Sequence, residues 1–166
     1  MKRFRPLVIL LLIAALCWGG VQLVLFKTAH YPALSQPVDY PVNQLEGFAL
    51  SLERFAFSPF KGHSFHYDIE IDSDEVYFFV QGQVSPERLE REIDGQWYRM
   101  FRRENDAFNS LTFDLGGEGS RGFSGSLVQE YAGYGTRLEP GRYRFTVELA
   151  DAAGAPHYLA AEFIVP

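Results

Sequence analysis

The chain has 166 residues, 47% of them hydrophobic and 16% aromatic, with a formal net charge of −6. That composition excludes a disordered chain and leaves room for one domain plus an appendage. Lys2, Arg3 and Arg5 precede every acidic residue, so the part from Lys27 onward holds 12 basic against 21 acidic residues, a balance of −9, which argues against nucleic acid or anionic lipid as its partner.

Leu7 to Phe26 is uncharged and mostly apolar. As a helix these residues would reach roughly 30 Å, the thickness of a bilayer core. A cleavable signal has a shorter apolar run and a small-x-small site, whereas here the run continues into Lys27-Thr28-Ala29. The pattern predicts a basic stub and uncleaved signal anchor over 1–26, single-pass, with a cytoplasmic N-terminus and the domain outside. Cys17 invites comparison with a lipoprotein signal, but Leu16 stands where such signals want a small residue. As the sole cysteine it can form no intramolecular disulfide. Pro32, Pro37 and Pro41 punctuate 27–44, which reads as a semi-rigid linker carrying the domain, 45–166.

Within the domain, Phe48, Leu50, Leu52 and Phe55 suggest a first strand. Phe65, Tyr67, Ile69 and Ile71 alternate with polar residues in a second. Asp72-Ser73-Asp74-Glu75 is a turn before Val76–Val80, whose apolar run predicts a central strand. Ser85 to Arg88 could make one helical turn. Asp94-Gly95 joins a hairpin whose second strand holds Trp97 and Tyr98, since both turn positions must take positive φ. Leu111 to Leu115 predicts another strand, 116–125 a glycine-rich loop, and 126–131 a further strand.

Leu138-Glu139-Pro140-Gly141 breaks the chain and reverses it. Tyr143, Phe145, Val147 and Leu149 then alternate with Arg142, Arg144, Thr146 and Glu148, predicting apolar residues inward and charges outward. A tyrosine two residues past such a corner can reach back to the upstream backbone, with Leu138 packed beneath. Tyr158–Val165 closes the domain. Seven or eight short strands at this spacing indicate an all-β antiparallel sandwich.

Three segments resemble a known family. Leu89-Glu90 with Asp94-Gly95-Gln96-Trp97-Tyr98 resembles an LE…DGxWY hairpin, Leu138 to Arg144 resembles LxPGxYR, and Ala161-Glu162-Phe163-Ile164-Val165 resembles an AEFxV last strand. In this order they look like a bacterial immunoglobulin-like domain of membrane-anchored or lipoprotein-type envelope proteins. The resemblance implies an immunoglobulin-like β-sandwich outside the cytoplasmic membrane, without cofactor or enzymatic activity. Its expected partners are the membrane, through the N-terminal helix, and an envelope protein or cell-wall glycan.

Candidates for chemistry are sparse. His30, His63, His66 and His157 include no His-x-x-x-His pair. Asp72, Asp74 and Glu75 could offer oxygens to calcium, but the turn lacks the glycine and distal glutamate of an EF-hand loop. Gly122-Phe123-Ser124-Gly125 lacks the spacing of a nucleophile elbow, and neither a phosphate loop nor a placed carboxylate pair is legible. Phe123, Tyr131 and Tyr134 lie in or beside the glycine loop, where exposed aromatics would suit recognition of protein or sugar.

Overall fold

A computed structural model describes residues 5–28, 33–58, 61–81, 86–101, 111–117, 122–128, 134–135 and 137–166. Among the described residues one helix, α1 (Arg5–Thr28), precedes ten strands: β1 (Leu34–Val38), β2 (Phe48–Ser58), β3 (Gly62–Ile71), β4 (Tyr77–Gln81), β5 (Glu87–Ile93), β6 (Gln96–Met100), β7 (Leu111–Leu115), β8 (Gly122–Val128), β9 (Gly141–Ala150) and β10 (Pro156–Val165). Every residue from Val8 to Leu23 on α1 is exposed. Among the described residues no helix is long and apolar enough to cross a membrane. The membrane span expected over 7–26 is therefore not supported.

The strands form two antiparallel sheets. The larger runs β1-β6-β5-β9-β4-β7, with β10 along the other edge of β9, and the smaller runs β2-β3-β8. β9 and β10 pair through ten consecutive residues, Gly141 opposite Val165 to Ala150 opposite Pro156. β4 touches β9 only at Phe78 opposite Ala150, past the end of β5.

The core lies between the sheets because alternate residues point inward. Phe65, Tyr67, Ile69 and Ile71 come from β3; Tyr143, Phe145, Val147 and Leu149 from β9; Leu159 and Phe163 from β10. The ring of Phe145 meets Phe65 at 5.1 Å and Tyr67 at 4.9 Å, joining the layers. The Asp94-Gly95 turn has φ of 51° and 82°, the left-handed pair that a two-residue hairpin needs.

Several segments depart from the sequence reading. Glu87 and Arg88 begin strand β5 rather than a helical turn, because they pair with Val147 and Thr146. Val76 is exposed ahead of β4, so that run is not buried throughout. The glycine-rich stretch contains β8, which pairs with β3 from Ser64–Val128 to Glu70–Gly122. Inside the expected linker, β1 pairs with β6, and Ala33 accepts from the Phe101 amide at 2.6 Å.

Candidate functional site

The outward face of the large sheet holds the least expected arrangement. Alternation along β9 should leave Arg144 and Thr146 in water, yet they are 5% and 0% exposed, and Glu90 opposite Arg144 is 0% exposed. The cover comes from the chain between β1 and β2. After pairing with β6 at one side of the sheet, residues 39–43 cross this face to β10. There the Asn43 amide donates to the Tyr158 carbonyl at 2.8 Å. The Asn43 side chain both donates to the Ala160 carbonyl (3.0 Å) and accepts from its amide (2.8 Å), so it stands in for a strand partner.

Midway, the Tyr40 ring stacks on Tyr158 with centroids 3.8 Å apart and 14° between planes. Its hydroxyl donates to Glu90 Oε1, while Arg144 Nε donates to Glu90 Oε2. Both carboxylate oxygens of Glu90 are thus engaged, which suits a buried charge and leaves none for proton abstraction. Burial, helped by the bond to Glu90 and its charge, pushes the Tyr40 phenol up to about 12. The Arg144 guanidinium also lies 4.5 Å from the Trp97 ring centroid. Arg88 pairs with Glu148 and sits over Tyr158. At the rim, Arg142 reaches Glu92 at 2.8 Å and Glu162 at 2.6 Å, and bonding to Glu162 raises its guanidinium above its usual value. The arrangement is one of stacked rings and ion pairs, with Arg88 Nε and Nη1 and Thr146 Oγ1 buried without a hydrogen-bond partner among the described residues.

The corner residues are drawn together. Tyr143 Oη donates to the Glu139 carbonyl at 2.7 Å, and Leu138 is buried. Arg91 ties β5 to the same corner through the Glu139 carboxylate and the Pro140 carbonyl. Trp97 and Tyr98 are half-buried on β6.

Two of the three loop aromatics, Phe123 and Tyr134, are among the described residues. Phe123 lies on β8, packed against Phe79 (5.1 Å) and Tyr67 (6.2 Å). Tyr134 is buried, its hydroxyl donating to the Glu87 carbonyl (3.3 Å) and accepting from the Leu89 amide (3.2 Å). Tyr134 belongs to the core, and Phe123 is partly buried against it because β8 continues the small sheet where a loop was expected. Tyr131 lies outside the described residues. Among the described residues the large exposed aromatics of the domain are Phe55 and Phe57 on β2, and Phe101 after β6.

The calcium candidates do not converge. Asp72 and Asp74 are exposed, and Glu75 accepts a hydrogen bond from the Tyr77 hydroxyl at 2.9 Å. Among the described residues no group of three His, Cys, Asp or Glu is placed to hold a metal. On the open face of the small sheet, His66 Nδ1 meets Ser126 Oγ at 2.7 Å, and Ser124 donates to Asp68 at 2.5 Å. Both pairs join β3 to β8 and are exposed.

Tyr40, Asn43, Glu90, Arg144 and Tyr158 are the residues that sequence reasoning missed. Nothing local marks them, because each finds its partner across the fold. Compared with known proteins, the chain matches no family model and no curated sequence.

Proposed function

We propose that the protein is a non-enzymatic, membrane-attached module of the bacterial envelope, an immunoglobulin-like sandwich that binds an envelope protein on the outer side of the cytoplasmic membrane. The observation that carries this reading is α1. Its residues from Val8 to Leu23 are exposed and almost wholly apolar. Each large apolar side chain left in water forgoes about 1.5–3 kcal/mol relative to burial. Lipid is the solvent that suits a helix apolar all round.

Support for the immunoglobulin-like reading comes from two packed antiparallel sheets and the Tyr143–Glu139 corner bond. Support for protein binding comes from Phe55 and Phe57, about half exposed on β2, although Phe55 also packs on the core rings of Phe65 and Phe163. Fold analogy alone supplies no ligand.

Two measurements test the reading. The full chain expressed in bacteria should pellet with membranes and stay there after an alkaline carbonate wash, with the sandwich open to protease added outside the cytoplasmic membrane. Recovery in the carbonate supernatant would end the attachment claim. Photo-crosslinking from position 55 or 57 should give one discrete protein adduct, lost on Phe55→Ser and Phe57→Ser. A ladder of adducts unchanged by those substitutions would remove the binding surface.

A further inference from the structure

We propose that residues 33–43 form a releasable strap, which opens from the sandwich as a unit ahead of global unfolding and uncovers the Glu90–Arg144 face. The inference rests on the sandwich alone and holds whether or not α1 lies in lipid.

The attachment is thin by comparison with what it covers. β1 has three registered pairs with β6, broken by a shift between Leu34 and Pro37, and Pro37 has no amide to donate. Its exposure runs intermediate, exposed, exposed, exposed, buried, so Val38 is its one buried residue. β9 and β10 share ten unbroken pairs over buried side chains. Local opening free energies follow such differences in buried contact and pairing, so the strap belongs at the low end and β9 at the high end.

The crossing segment is held at two points, the Tyr40 ring and the Asn43 clasp. Lifting it would return Tyr40 to water and bare Tyr158, Trp97 and the ion pair at once.

Hydrogen exchange on the full chain in detergent micelles tests this, with Trp18→Phe present so that Trp97 is the sole tryptophan. Amides of Leu34–Val38 and Asn43 should exchange at least ~10-fold faster than those of β9. Tyr40→Ala should speed the strap amides by a further ~10-fold, about the worth of a buried ring stack, and raise acrylamide quenching of Trp97, with β9 unchanged. A second protein carries Pro37→Cys and Tyr98→Cys, directly opposed residues, with Cys17→Ser to avoid mispairing. Its oxidised form should slow strap exchange and quenching relative to its reduced form. Equal exchange of β1 and β9 amides would overturn the proposal, and so would a lock whose oxidation leaves the strap amides unchanged. If Tyr40→Ala fails to fold, the oxidised and reduced forms of the lock still decide.

Discussion

At Tyr143 a single side chain fills the core and closes a corner. Its ring stacks with Phe163 at 5.6 Å and lies beneath the Arg91 guanidinium, while its hydroxyl bonds to the Glu139 carbonyl. Tyr143→Phe keeps the packing and removes the bond, so stability should fall by about 1 kcal/mol, read as a lower urea midpoint at unchanged slope. The corner was legible because Pro140 and Gly141 act locally on the backbone, and a tyrosine at fixed spacing can reach only a few residues back. Gly125 was not legible. Its glycine-rich neighbourhood reads as a loop, yet it sits on β8 opposite Tyr67, where an added Cβ would lie 2.3 Å from the ring carbon bearing the hydroxyl. The glycine makes room for a ring rather than for a turn. Gly125→Ala should cost about 1–3 kcal/mol through displacement of Tyr67 and loss of its bond to Glu87, measurable by thermal unfolding.

At the scale of elements, alternation read β3, β9 and the 94–95 hairpin from sequence, because each is decided by neighbours two residues apart. It failed on the outward face of β9. Arg144 and Thr146 look like surface residues until a distant segment is laid over them. The Glu90–Arg144 pair now has the energetics of a buried salt bridge: Glu90→Gln should destabilise by about 3–5 kcal/mol, whereas Glu90→Leu with Arg144→Leu should cost less than the two single changes combined. A double-mutant cycle in urea checks the sign. The phenols give a pH test. Burial raises both Tyr40 and Tyr143 from 10.0 to about 12. A raised folded value means their contribution is complete below pH 10, the unfolded value, and lost as pH climbs through about 12. Urea midpoints should therefore fall steeply over that window, and Tyr40→Phe should flatten the dependence without abolishing it, since Tyr143 still titrates.

At the scale of the whole molecule, the all-β character and antiparallel pairing were readable from strand spacing and turn residues. The domain boundary was not. Residues 33–44 carry prolines and no periodicity, so nothing nearby shows that Asn43 bonds to Ala160, 117 positions away. A chain trimmed to begin at Gln44 should accordingly unfold at a lower urea concentration than one beginning at Ala33, with Trp97 more readily quenched. That same separation constrains the order in which the protein can be assembled. Asn43 is among the first domain residues to leave the ribosome, and its partner among the last. Until β10 is in place the polar cluster on β9 has no lid, and a half-made domain presents Glu90 and Arg144 to whatever chaperone or solvent it meets. Maturation of this face thus waits on β10, and its sealing reports that the two ends of the sandwich have met.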